Sequence, residues 1–432
     1  MPVSPKKSTV PVDYFGETSF RGPPLLWRPM SRVAGGPIAG GLLCVFGAVY
    51  MSYLGLANML AHSGEIASLL SAAKLTPDDA SLWQRAGLKL LEIAPDRAHA
   101  YLERAFQLNP RDADALLGLA FLREKSGKII EAEPYYLEAT RVSRRYRPNY
   151  SLATYYFRHD RPALFWPTAA RVAAIDRANL ENLFRIAHLM SDSPRQVPAL
   201  LKLGSQHART SYLTFLLKEE NHDKIASLDN VADAAQGIRA TAPHRDLLLT
   251  ACERLLDRGR TAEAARIWNR LGAEGGSAYT RLDPSCGSAL ANGAFLPAPM
   301  RAFNWRSSGA PEVTLNLLHP SGLRIEFSGR QAETETVLNQ HLLLVPGATY
   351  RFTYRSDVSG LSSTEGLQWA VVAGRQLRGR SFWDTTPSAA GAFEFRAPPD
   401  AASLELRYER PPGTVRTRGS LFLQSAELQC LQ

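Results

Sequence analysis

The sequence predicts a multidomain chain: one membrane-crossing helix, then an all-α helical solenoid, then an all-β sandwich. Three observations lead there. Residues 33–63 contain no Asp, Glu, Lys or Arg. From about residue 77 to 275 apolar and small residues recur with a 34-residue period. After Gly275 that periodicity stops, and short stretches alternate apolar and polar residues between Gly- and Pro-containing turns. At 432 residues, 45% hydrophobic and 21% charged, the chain has the composition of several folded bodies.

Charge narrows the partners. Fifty Lys and Arg oppose 41 Asp and Glu, a net +9 spread along the chain. A diffuse excess of this kind suits anionic head groups or acidic polysaccharide. Nucleic acid calls for a denser basic stripe interleaved with aromatics, so no nucleic-acid partner is predicted.

Residues 1–32 read as a cytoplasmic, largely disordered tail and 33–61 as a transmembrane helix embedded in the lipid bilayer. The run exceeds the roughly 20 apolar residues that cross about 30 Å of hydrocarbon. It is also longer than a signal-peptide core of about 7 to 15 residues, which favours an anchor over a cleaved leader. Lys6, Lys7, Arg21, Arg28 and Arg32 face only Asp13 and Glu17 on the N-terminal side, while Glu65, Lys74, Asp78 and Asp79 open the other side. The positive-inside rule then keeps the N-terminus cytoplasmic and places the bulk of the chain on the periplasmic or extracytoplasmic side. Gly36 and Gly40 form a G-x-x-x-G pair suited to packing against another helix.

Residues 64–275 are assigned to helical repeats. Two segments align without gaps 34 residues apart: Leu82 with Leu116, Ala98 with Ala132, Leu102 with Tyr136, Ala105 with Ala139. Pro95 and Gly127 interrupt the helical pattern between paired helices. This pattern resembles tetratricopeptide repeats, in which a small residue admits close helix approach and a large one fills the gap. Further pairs are expected near 149–175, 180–203, 212–234 and 247–271, the last with Gly259 at the turn, Ala264 at the small position and Trp268 at the large one. The third repeat departs from the pattern by carrying Trp166 where Ala is usual. The resemblance implies a concave groove that binds segments of partner proteins, lined by Trp83, Leu117, Phe121 and Glu124. Inter-repeat core is the alternative for Trp83 and Phe121.

Residues 283–432 read as a β-sandwich of seven or eight strands, in stretches such as VTLNLLH, LRIEFSG, LQWAVVAG and SLELRYER. Asn292, Gly293 and Phe295 before the first strand, with Pro346, Gly347 and Tyr350 before a central one, resemble jelly-roll carbohydrate-binding modules. Sugar recognition needs exposed aromatic faces, and Trp305, Trp369, Trp383 and Tyr408 are the glycan-binding candidates. Apolar surroundings favour the core for Trp305 and Trp369, whereas Trp383, in RSFWDTT, reads as a loop or edge residue.

Chemistry is sparse. The four cysteines form no C-x-x-C pair, and the nine histidines form no H-E-x-x-H, so neither metal nor cofactor is predicted. Cys286 and Cys430 bracket the last domain and can join its ends in an oxidising compartment, or be two separate buried thiols. With no P-loop and no G-x-S-x-G, the chain reads as no enzyme. The expectation is a membrane-anchored scaffold whose repeats bind proteins and whose β domain touches glycan, in surface polysaccharide assembly or export. The alternative is a carbohydrate-active enzyme or accessory subunit, using carboxylates among Glu326, Glu365, Asp384 and Glu394.

Overall fold

The computed structural model describes residues 36–175, 178–218, 228–275, 279–283, 285, 287–298, 300–383 and 388–431. The expected tail, 1–32, lies outside them. The chain divides into two compact units, residues 1–86 and 87–432.

In the first unit the uncharged run forms a single helix, α1 (Gly36–His62). Its portion Cys44–His62 is long and apolar enough to cross a membrane by length and composition. A turn at Gly64, with φ of 74°, reverses the chain into α2 (Ile66–Leu75), which packs along the end of α1. Ala57 and Ala61 on α1 are buried, as are Leu69, Ala72 and Ala73 on α2. The next helix, α3 (Ala80–Leu90), runs across the division between the units.

The second unit continues with paired helices. These are α4 (Pro95–Leu108), α5 (Ala113–Lys125), α6 (Ile129–Val142), α7 (Tyr146–Arg158), α8 (Pro162–Ala173), α9 (Glu181–Met190), α10 (Val197–Leu200), α11 (Gln206–Leu217), α12 (Leu228–Gln236), α13 (Arg245–Leu256) and α14 (Thr261–Gly275). Local chemistry sets their ends. Pro95 opens α4 where its missing N–H costs nothing. Asp112 caps α5 by accepting from the backbone N–H of Asp114 and Ala115 at 2.9 and 3.2 Å. Gly127, with φ of 80°, and Gly259, with φ of 73°, close the turns expected of them.

The repeat packing follows the small–large pattern. Ala98, Leu102 and Ala105 on α4 are buried, and Ala132, Tyr136 and Ala139 occupy the same places on α6. A Cβ on Gly118 would stand 2.7 Å from Leu102 Cδ1, so a side chain there would have to displace Leu102 from its place between α4 and α5. On α8 the expectation is corrected. Phe165, Thr168, Ala169, Val172 and Ala173 are buried; Ala173 keeps the 34-residue period from Ala139, but Phe165 and Ala169 lie one residue before it, and Trp166 is only half-buried against Phe165. Large and small residues have exchanged places there.

The β domain is two antiparallel five-stranded sheets. One has the order β1-β4-β9-β6-β7, formed by β1 (Arg306–Ser307), β4 (Thr334–Leu342), β9 (Ala402–Glu409), β6 (Leu367–Ala373) and β7 (Gln376–Phe382). The other has the order β2-β3-β10-β5-β8, formed by β2 (Val313–Leu317), β3 (Leu323–Ser328), β10 (Arg418–Cys430), β5 (Thr349–Leu361) and β8 (Ser388–Arg396). Alternation sets which side chains face inward. On β9, Ala402, Leu404, Leu406 and Tyr408 are buried while the residues between them are half-buried. Among the described residues there are ten strands where seven or eight were expected. The extra ones include the two-residue β1 and β7, whose mostly exposed side chains carry little apolar alternation.

Solenoid and sandwich are joined by packing. Ala302, Phe303 and Leu343 of the β domain belong to the same buried cluster as Trp268 and Leu271 of α14. Trp268 lies 5.1 Å from the ring of Tyr279 and 5.9 Å from that of Phe303, and its Nε1 donates to Thr280 O at 2.9 Å. The Asn269 amide brackets Leu282, donating to its carbonyl at 2.7 Å and accepting from its N–H at 2.8 Å. Arg301 closes the junction with two bonds to Glu253, at 3.0 and 2.6 Å, and one to Thr250 at 2.9 Å. Trp268→Ala is expected to cost about 3–5 kcal/mol. Far-ultraviolet helix signal and near-ultraviolet aromatic signal should then be lost together in urea, at one lowered midpoint.

Candidate functional site

Two concave surfaces stand out in the second unit, one on each domain. The first is a groove of about 530 Å³ between the 88–93 segment, α5 and α7. Leu117 and Phe121 of α5 contribute to it, as the repeat pattern predicts, with Tyr150, Thr154 and Arg158 of α7 and the 75% exposed Ile93. It offers apolar surface flanked by Lys89 and Glu92, by Arg147, which lies 2.9 Å from Asp114, and by Arg158.

Glu124 does not line this groove; it holds Arg158. Its carboxylate accepts from Arg158 Nε and Nη2 at 2.8 and 2.7 Å and from Tyr136 OH at 2.8 Å, and His159 Nε2 lies 2.8 Å away. Burial disfavours its charge, but the bonds from Arg158, Tyr136 and His159 outweigh that and hold the carboxyl below its ordinary range. Burial, then Glu124, pushes the Tyr136 hydroxyl well up. Trp83, in the other compact unit, is half-buried and donates its indole N–H to Pro77 O at 2.9 Å.

The second surface is a cleft of about 1020 Å³ on the outer face of the β2-β3-β10-β5-β8 sheet, walled by residues 287–294. Its face comes from outward positions of adjacent strands. Glu427 pairs with Thr353, which pairs with Ala392; Ser425 pairs with Arg355, which pairs with Ala390. Gln429 and Ser288 add further hydrogen-bonding groups. The small side chains on β8 leave the floor low, and the cleft presents amides, hydroxyls and one charge of each sign.

The wall is built by the expected fold-defining residues. Gly293 O accepts from Ala426 N–H at 2.7 Å, and a Cβ on Gly293 would stand 2.1 Å from Ala426 O, so no other residue fits. Asn292, at φ of 50°, donates to Leu296 O and Asn304 Oδ1 and accepts from Leu296 N–H. Gln340, which carried no signal in the sequence, clamps both backbone groups of Ala291. Phe295 stacks on Trp305 at 5.1 Å. On the far side Tyr350 OH accepts from Val345 N–H at 3.0 Å, and Gly347 has φ of 81°.

The aromatic candidates need correction. Trp305, Trp369 and Tyr408 are 1% exposed or less, and Trp383 is 6% exposed. They are core, and none offers a face to a sugar. Trp369 lies 5.7 Å from Trp305 and 5.8 Å from Trp383, and Trp383 lies 4.7 Å from Tyr354. Trp305 Nε1 donates to Asn292 O and Trp383 Nε1 to Ser356 Oγ; Tyr408 OH accepts from Thr417 N–H. Burial of four large rings, each worth several kcal/mol of apolar transfer, outweighs any gain from exposing one of them.

No family model matches the chain. Over 347 residues it is 23% identical to cellulose synthase 1 operon protein C of Komagataeibacter xylinus. The alignment covers 79% of this chain and 24% of that relative, so the chain spans about a quarter of the relative's length. Among solved structures, the tetratricopeptide protein YrrB, described as having an unusual peptide-binding site, is 16% identical over 48% of this chain and 92% of its own, at a TM-score of 0.24. PilF of Pseudomonas aeruginosa is 17% identical over 48% and 96%, at 0.30. A CBM4 structure is 10% identical over 33% and 99%, at 0.26. At these scores the fold assignment rests on the helices and sheets themselves.

Of the carboxylates singled out in the sequence, Glu326 and Glu394 do not converge. Glu326 on β3 faces Ser420 at one end of β10 and lies 3.2 Å from Arg324, whereas Glu394 on β8 shares the row of Arg351 and Gln429 at the other end. Three strand spacings alone separate them by roughly 14 Å, beyond the roughly 5–9.5 Å between paired glycosidase carboxylates. Glu365 is exposed on the β5–β6 loop, and Asp384 lies outside the described residues. Among the described residues no group of three or more His, Cys, Asp or Glu is placed to hold a metal. Cys430 is disulfide-bonded, and its expected partner Cys286 lies outside the described residues.

Two outcomes follow. Trp383→Ala should cost about 3–5 kcal/mol of stability, read by thermal unfolding, in place of a local loss of ligand binding. Glu124, with its folded pKa lowered, contributes stability that is complete above the ordinary glutamate range and is lost as pH falls through the lowered value. Glu124→Gln should therefore lose about 1–3 kcal/mol at pH 7. Its urea midpoint should also fall less than that of the native chain between pH 7 and 3.

Proposed function

We propose that this chain is a membrane-anchored, non-catalytic scaffold in polysaccharide synthesis, with a protein segment held in the solenoid groove and a glycan chain in the sandwich cleft. The observation that carries this reading is the 347-residue match to a cellulose synthase operon protein. That length exceeds either domain alone, so the match takes in part of both. The groove supplies an apolar surface with charged flanks of both signs, suited to a segment anchored by its apolar side chains. The cleft supplies hydroxyls, amides and paired charges without a stacking platform. That suits a chain bound by its hydroxyls along an open face and suits a flat crystalline surface poorly.

α1 is the anchor in this reading, and the basic tail before it keeps the N-terminus in the cytoplasm. The groove and cleft then work on the far side of the membrane, where a bridge between Cys286 and Cys430 is chemically favoured.

The test separates the two surfaces. Detergent-solubilised full-length protein should be retarded in a native gel containing soluble β-1,4-glucan, and Arg355→Ala with Glu427→Gln should migrate freely. Phe121→Glu should keep the retardation while losing envelope proteins that co-purify with the native chain. Retardation unchanged by the cleft pair sinks the assignment of the cleft. Co-purification unchanged by Phe121→Glu sinks that of the groove.

A further inference from the structure

The sequence places the membrane segment at 33–61, but α1 does not end where a bilayer would. At 1.5 Å per residue its 27 residues, Gly36–His62, span roughly 40 Å, whereas the hydrocarbon core is about 30 Å thick. Standing upright, such a helix leaves at least about a quarter of its length outside the hydrocarbon, and the packing of α2 identifies which end.

α2 folds back along α1 from Gly64, and its last turn returns to the level of Tyr53, whose hydroxyl donates to Leu75 O. That turn carries Lys74 and leads directly into Thr76, Pro77, Asp78 and Asp79. A helix end with open carbonyls, an ammonium and two carboxylates has no place in hydrocarbon. Whatever layer of the bilayer surrounds Tyr53 must therefore already be polar. Protein begins to cover one face of α1 just beyond that level. Val45, Phe46, Val49 and Met51 are 61–72% exposed on several sides of the helix, with no protein against them. From Ala57 onward one face is covered, with Ala57 and Ala61 buried one turn apart, while Leu56 and Met59 stay exposed on the other faces. Arg85 Nη2 donates to Ala61 O at 2.6 Å within the same compact unit.

We infer that the lipid-embedded part of the chain ends at Ser52, so that α1 crosses the hydrocarbon up to Ser52 and Tyr53–His62 is the first helix of a water-side hairpin with α2. This rests on the proposed membrane anchor. The uncharged sequence up to Ser52, twenty residues from Val33, then matches the hydrocarbon thickness. Tyr50 and Tyr53 fall in the boundary layer that aromatic residues with a polar tip favour. Leu56 lies about 5 Å beyond Tyr53, within the head-group layer, and Met59 about 9 Å beyond it, at its outer edge.

Labelling with a membrane-impermeant maleimide on open membrane fragments, where both faces are reachable, tests the boundary with the full-length chain. Native Cys44 is exposed on α1 and reports from inside the hydrocarbon. It should react only after detergent. In a Cys44→Ser background, Met59→Cys and Ser71→Cys should react fully before detergent, above the label taken up by Cys44→Ser alone. Met59→Cys protected alongside Cys44 until detergent overturns the boundary while leaving the anchor intact. Cys44 reactive without detergent, in protein that alkaline carbonate washes from the membranes, removes the anchor itself.

Discussion

The second unit depends on the packing of Trp268 between Tyr279 and Phe303. The indole belongs to the last helix pair, Tyr279 to the segment that leaves it, and Phe303 to the β domain. One buried side chain thus brings three parts of the chain into a common core. Arg301 and Asn269 add directional bonds around it, which fix orientation more than they add stability, since Arg301 remains about one-third exposed. A groove on the helices and a cleft on the sheet are consequently carried by one body.

Much of this was legible in the sequence because periodicity reports packing. The 34-residue spacing of Ala98 and Ala132, Leu102 and Tyr136, located two helix pairs and their turns, and Ala264 with Trp268 located the last pair. The slip on α8 could not be seen that way. A strict period assigns Trp166 to the small position, while packing moved Phe165 into the core and let Ala169 compensate in volume. A repeat tolerates such an exchange because only the sum of the facing volumes is constrained.

The sandwich was legible in outline and misread at its aromatics. Phe382 and Trp383 are consecutive, so strand alternation sends one outward and one inward, and polar neighbours suggested the outward role for Trp383. The structure chooses the reverse: Phe382 is 56% exposed and Trp383 is buried with its N–H satisfied by Ser356. The phase of an alternating pattern is set by pairing partners, here β6, whose register shifts at Val371 and Val372. The cleft residues Arg355, Glu427 and Gln429 were invisible for a related reason. Each is an ordinary outward position on its own strand, and they become neighbours only through a register that joins distant parts of the chain.

The segment 287–294 has two duties. It is the connection through which the chain enters the β domain, and it is also the wall of the cleft, pinned to β10 through Gly293 and to β4 through Gln340. A polymer seated in that cleft would press on the very stretch that leads back through Leu282 and Thr280 to Asn269 and Trp268 of α14. Tension along such a polymer would be passed through these bonds into the helical array.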